Sequence, residues 1–178
     1  MKFFSILPLI ILSIACSRPP QPAMGYADVD DQISYQLRAQ SQYFPEGKPV
    51  RKGWLSRSYG LSKDPFTGRK KFHYGFSYSG VLGTRIYSVA TGTVVVSGRA
   101  GGCGKIVEVD HHNGYSTRYS HNRKNLVLLG QLIKKGELVA EMGGTGRSTG
   151  SYVHFMIFRN GKPVDPKPFV NANRKVIK

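Results

Sequence analysis

The chain has 178 residues, enough for one well-packed domain and too few for two. Lysine and arginine number 26 against 10 aspartates and glutamates, a formal net charge of +16 that suits anionic partners such as nucleic acid, acidic lipid headgroups or an acidic polymer. Residues 1–16 place one lysine before an apolar stretch that ends in small residues, which reads as a secretory signal. The stretch is too short for a spanning helix, which needs roughly 20 apolar residues. Export excludes nucleic acid as the partner, and the chain carries no RNA- or DNA-binding signature.

The close of that stretch, Leu12-Ser13-Ile14-Ala15-Cys16, resembles the lipobox of bacterial lipoproteins. The resemblance implies a signal peptide over residues 1–15, cleavage before Cys16, and acylation of its thiol and new amino group. An ordinary signal peptide with a coincidental cysteine is the alternative. Several acyl chains make anchoring stable, because each buried methylene contributes about 0.8 kcal/mol. Ser17 stands where aspartate would mark retention in the inner membrane, so the resemblance implies an outer-membrane anchor facing the periplasm. Acylation of Cys16 leaves Cys103 as a single thiol in an oxidising compartment. Flanked by Gly101-Gly102 and Gly104, it reads as a small residue at a tight turn, with a catalytic nucleophile as the alternative.

Residues 16–27 are Pro-rich and polar, and read as a tether. Residues 28–50 read as linker. Within them, residues 28–43 carry the signals of a short helix: Asp28 or Asp30 as cap, and Ile33 and Leu37 on one face. Turn residues from Phe44 to Val50 close this part. From Gly53 the texture changes. Short β-rich runs at residues 92–98, 105–110, 115–119, 126–129, 137–141 and 152–158 are separated by glycine turns, with no useful helical period. That spacing predicts an all-β sandwich or barrel-like sheet over residues 53–170, followed by a basic tail at 171–178.

The last run, Tyr152-Val153-His154-Phe155-Met156-Ile157-Phe158, is β-branched and aromatic and follows the glycine-rich stretch 143–150. Side chains alternate along a strand, so Tyr152, His154 and Met156 share a face. Alone, His154 reads as a core histidine satisfied by a backbone carbonyl; a ligand or base aimed into a groove is the other reading. His73 and His121 lie on separate predicted segments, and three such histidines could converge on one zinc or one catalytic centre. His111 and His112, beside Asn113-Gly114, read as a solvated hairpin turn.

Several motifs in order sharpen this picture: Gly53-Trp54-Leu55-Ser56, Asp64-Pro65-Phe66-Thr67-Gly68, His73-Tyr74-Gly75, Gly114-Tyr115-Ser116-Thr117-Arg118-Tyr119-Ser120-His121, Gly146-Arg147-Ser148-Thr149-Gly150 and His154-Phe155. Together they resemble a LytM/lysostaphin-type zinc endopeptidase domain over about two thirds of the chain. The resemblance implies a small antiparallel β groove and, in active members, cleavage of peptidoglycan cross-links. It also implies a metal set of His73 and His154, with Ser77 standing where the family has its aspartate ligand. His121 matches one catalytic histidine. Tyr152 stands in place of the other, the first histidine of a His-x-His strand.

A catalytic zinc takes three protein ligands and a water whose pKa it lowers to about 7. Ser77 offers a neutral hydroxyl, and Tyr152 a phenol with an ordinary pKa near 10, a poor base at neutral pH. These losses compound, since groups that act as a unit fail together. The expectation is therefore a catalytically inactive, lipid-anchored regulator with no cofactor, zinc entering only if the two retained histidines suffice. Its implied partners are peptidoglycan and a periplasmic N-acetylmuramoyl-L-alanine amidase, by resemblance to cell-division lipoproteins of the NlpD type. The chain departs from that type in lacking a LysM module. In this reading the groove is a docking surface with Arg147, Tyr152 and His121 on its floor and rim. A metalloendopeptidase with an unorthodox site and a structural peptidoglycan-binding lipoprotein are the alternatives.

Overall fold

The computed structural model describes residue 36 and residues 40–171. The expected signal peptide, Cys16, the tether and most of the expected short helix lie outside the described residues, as does most of the basic tail. Gln36, Gln40 and Ser41 are helical, and the chain then turns toward the domain.

Thirteen strands follow: β1 (Trp54–Arg57), β2 (Gly60–Lys63), β3 (Lys70–His73), β4 (Phe76–Ser79), β5 (Arg85–Tyr87), β6 (Gly92–Arg99), β7 (Lys105–Asp110), β8 (Tyr115–Asn122), β9 (Lys124–Asn125), β10 (Leu132–Ile133), β11 (Leu138–Glu141), β12 (Tyr152–Arg159) and β13 (Lys162–Val164). They form an eight-stranded sheet in the order β1-β4-β12-β8-β7-β6-β10 with β13 beside β12, a three-stranded sheet β5-β11-β9, and the two-stranded ribbon β2-β3. The pairings between these strands are antiparallel. Among the described residues beyond Ser41 the architecture is all-β, with a helical turn at Lys167–Val170 and a 3₁₀ turn at Gly101–Cys103. Among the described residues, no helix is long and apolar enough to cross a membrane.

Alternation along β12 sets the core. Val153, Phe155 and Ile157 are buried on one face, packed with Val107 and Val109 of β7 and with Tyr119 of β8. From the small sheet, Ile86, Val139 and Ala140 complete the same cluster. Tyr152, His154 and Met156 take the other face of β12, half-buried. The core thus holds the strand rigidly from one side and presents His154 from the other.

Three expectations need correction. Residues 126–129 are not a strand: the run winds into a turn that ends at Gly130, with Val127 buried and Leu128 and Leu129 exposed by 76% and 71%. Phe44 and Val50, at the end of the expected linker, are attached to the domain. Phe44 stacks on Phe169 at 5.5 Å and meets Tyr115 edge-on at 5.3 Å, while Val50 enters the core. His111, expected in a solvated turn, is fully buried. His112 alone takes the exposed turn position, with a φ of 59°.

Candidate functional site

The centre of the large sheet brings His73, Ser77, His121, Tyr152 and His154 together. His154 pairs in register with Ser77 of β4 on one side and with Ser120 of β8 on the other. The His73 and His154 rings lie 4.5 Å apart. Those of His121 and Tyr152 lie 4.7 Å apart, and His121 is 6.5 Å from His154. Gly75 makes the approach of the β3–β4 corner feasible, since a Cβ there would lie 2.4 Å from the Phe155 carbonyl oxygen.

His121 reaches the groove against the strand's alternation. Ser120 shares a face with His154, so His121, one residue on, should point the other way. A φ of +65° at His121 re-aims it. This backbone conformation costs a side-chain-bearing residue on the order of 1 kcal/mol or more and clusters at functional sites. The ring is held by a hydrogen bond from Nδ1–H to the Thr145 carbonyl at 2.8 Å. A carbonyl only accepts, so neutral His121 turns a bare Nε2 away from that bond. Thr145 is itself fixed: its hydroxyl donates to the Asn122 carbonyl at 2.7 Å and accepts from the Lys105 amide at 2.9 Å.

Burial keeps the three imidazoles neutral. Desolvation pulls His154 down to about 3, helped by His73, His121, Arg57 and Arg118. Desolvation and then Arg57 pull His73 down to about 4. Burial lowers His121 too, against the opposing hydrogen bond to Thr145. Burial raises the Tyr152 phenol, so it stays protonated at neutral pH and acts as a hydrogen-bond donor.

Two details bear on the chemistry. Ser77 Oγ is 3.1 Å from His73 Nε2, so the hydroxyl at the expected third ligand position is bonded to the first ligand. Arg147, expected on the groove rim, is engaged: its Nη2 is 3.1 Å from Asp64 Oδ1 and its guanidinium stacks on Phe66 at 4.4 Å. Asp64 Oδ1 also accepts from the Phe66 and Thr67 amides, which hold its pKa below the usual carboxylate value. The bond joins the loop after β2 to the glycine-rich loop before β12. In that second loop Gly146 sits at φ +76°, where a Cβ would lie 2.4 Å from the Gly104 amide. Cys103 lies at the neighbouring 3₁₀ turn, half-buried and unpaired.

The profile of peptidase family M23 matches residues 71–166, which hold all five of these side chains. The chain belongs to peptidase family M23. It is 37% identical over 120 residues to the peptidoglycan DD-endopeptidase ShyB of Vibrio cholerae, covering 66% of this chain and 28% of that protein. It is 37% identical over 123 residues to the lipoprotein NlpD/LppB homolog of Pseudomonas aeruginosa, covering 68% of this chain and 41% of that one. Among solved structures, a zinc-containing peptidase from Vibrio cholerae superposes with a TM-score of 0.60 at 34% identity, over 70% of this chain and 38% of that one. The catalytic domain of lysostaphin from Staphylococcus simulans superposes with the same TM-score at 27% identity, over 66% of this chain and 92% of that domain. The match to the two curated relatives thus spans well under half of their lengths.

M23 peptidases of the lysostaphin type use zinc, so the donor set can be tested against that metal. The family's ligand positions offer two imidazoles, His73 and His154, and the third position holds a neutral hydroxyl already bonded to one of them. Arg57 adds a positive charge that acts on both imidazoles. Among the described residues, no group of three or more His, Cys, Asp or Glu side chains could hold a metal ion. This donor set does not fit a catalytic zinc centre.

Arg57 joins these residues with no mark in the sequence. It pairs with Ser77 across β1 and β4 after a one-residue bulge.

Proposed function

We propose that this M23 chain is a catalytically inactive, lipid-anchored regulator of peptidoglycan remodelling that activates a periplasmic N-acetylmuramoyl-L-alanine amidase. The observation that carries this reading is the Ser77–His73 hydrogen bond where a peptidase needs a carboxylate on its metal. Tyr152, a protonated phenol beside His121, supports it, because it cannot supply the second base that a histidine at that position would. The likeness to an NlpD/LppB homolog supports a lipoprotein of the cell envelope, and Cys16 is the proposed site of acylation. In this reading Tyr152, His121 and the neighbouring loops form a docking groove for cell-wall material or the amidase.

The test is an assay on isolated peptidoglycan sacculi. The purified chain alone should release no fragments and contain no stoichiometric zinc, and it should accelerate digestion by a purified amidase. Cross-link cleavage by the zinc-loaded chain alone would replace this reading with the endopeptidase function named for ShyB. Binding to sacculi without any effect on the amidase would leave a structural peptidoglycan-binding lipoprotein.

A further inference from the structure

The register across four strands sets out one row of side chains. Arg57 of β1 pairs with Ser77 of β4, Ser77 with His154 of β12, and His154 with Ser120 of β8. Directly paired residues on antiparallel strands share a face, so Arg57 lies in line with His154. The bulge between Leu55 and Arg57 decides this. Leu55 pairs with Tyr78, which faces the core; with regular pairing the next residue, Ser56, would sit opposite Ser77. One inserted residue puts a guanidinium there instead, as bulges beside active sites commonly re-aim a side chain.

Among the described residues, three members of this row lack partners. Arg57 is half-buried and takes part in none of the ion pairs among the described residues. His154 Nδ1 and Ser120 Oγ are buried without a hydrogen-bond partner. Buried polar atoms are almost always paired, so two unpaired ones in one row with an unpaired cation call for a ligand that supplies acceptors. The neighbouring basic groups do not meet the same need: Arg118 is bound to Glu108 at 2.7 Å and Arg147 to Asp64. The positive charge of Arg57 acts on His73, His154 and Tyr152 alike and disfavours a second cation among them.

We propose that the row Arg57–Ser77–His154 is a carboxylate-binding site that takes the free carboxylate of a peptidoglycan stem peptide, at the place where the family's metal ligands stand. The guanidinium donates to both carboxylate oxygens, the bidentate geometry in which arginine exceeds lysine. His154, in its Nδ1–H tautomer, supplies a further donor and loses its unpaired state. The groove then recognises an anion with a resident cation, where a peptidase of the same fold would polarise its substrate with a metal. This inference deepens the regulator reading and rests on it for the identity of the peptide.

The experiment follows the histidine and arginine side-chain NMR signals of the full chain in detergent micelles during titration with N-acetyl-D-alanyl-D-alanine. Saturable shifts at Arg57 and His154 are expected with the free acid, and binding weaker by about tenfold or more with its C-terminal amide. Arg57→Gln should weaken the acid to the level of the amide. Arg57→Lys should retain part of the binding, and its thermal unfolding midpoint checks that the fold survives. Equal binding of acid and amide, unchanged binding by Arg57→Gln, or no saturable binding overturns the site. Equal binding of inorganic phosphate, or of an amidated peptide with an internal glutamate, overturns the stem-peptide assignment. The amidase assay is run separately. Normal activation with failed carboxylate discrimination removes this inference alone, whereas carboxylate binding without activation removes the regulator reading and leaves the site.

Discussion

His111, just past the end of β7, is fully buried and His154 of β12 is half-buried, and desolvation holds both neutral, at about 4 and about 3. Their bonding separates them. His111 donates from Nδ1 to the Thr91 carbonyl at 2.8 Å and so presents Nε2 as an acceptor to the Thr117 hydroxyl at 3.0 Å. Thr117 Oγ1 in turn lies 3.1 Å from the Tyr119 hydroxyl, which accepts from the Val89 amide. His154 has a buried Nδ1 with no partner. A low pKa alone would rank the two as equals. Saturated hydrogen bonding marks His111 as scaffold, and the open nitrogen marks His154 as a contact surface.

The largest expected effect sharpens the His154 side of this contrast. Ser77→Asp with Tyr152→His should raise zinc affinity from negligible to measurable by calorimetry. Adding Arg57→Ser should tighten it by a further factor of about ten or more, because a guanidinium in the same row repels the metal and pairs with the new carboxylate. Zinc affinity that is indifferent to Arg57 would mean that its charge does not reach the groove. Next comes the scaffold side. His111→Ala should cost about 2–4 kcal/mol in urea unfolding, through the cavity and the two broken hydrogen bonds, and His154→Ala clearly less. The reverse order would dissolve the comparison.

Acid titration is a smaller lever. The folded-state pKa of His111 lies below its ordinary value of 6.5, so the unfolded chain takes up the proton first as pH falls. Its contribution to stability is complete above about pH 6.5 and is lost from there toward about 4, by at most about 1.4 kcal/mol per pH unit. Unfolding midpoints measured between pH 7 and 4.5 should fall, and fall less in His111→Gln. The smallest effect concerns the loop bridge. Asp64→Asn should leave the unfolding midpoint nearly unchanged, since an ion pair to an exposed arginine contributes little and the amide oxygen still accepts from the Phe66 and Thr67 amides. It should speed amide exchange in the glycine-rich loop, and unaltered exchange there would mean that Arg147 does not restrain it.

The β-runs at β6, β7, β8, β11 and β12 were legible in the sequence because β-branched and aromatic residues stand between glycines. The strands from β1 to β4 were not: β1 to β3, with stretches such as Gly60-Leu61-Ser62-Lys63 and Lys70-Lys71-Phe72-His73, are short and largely exposed, and β4 is buried but only four residues long, too short to show a period. Residues 126–129 misled in the opposite direction: an apolar run there leaves Leu128 and Leu129 exposed in a turn. The motif residues His73, His121, Tyr152 and His154 were visible because their spacing follows a known pattern. Arg57 was not, since a bulge decides whether residue 56 or 57 faces the groove, and bulges leave no mark in a stretch this short. His111 was hidden by its neighbours. Asn113-Gly114 signals a turn, and nothing in the sequence says that the turn begins at His112.

The left-handed backbone at His121 narrows what substitution can place there. Asparagine or glycine would occupy the position at little conformational cost, whereas valine, isoleucine or threonine would be forced into a region that β-branched residues almost never visit. Sequence drift at this corner of the groove is therefore steered toward small polar or flexible replacements, whatever the groove is used for.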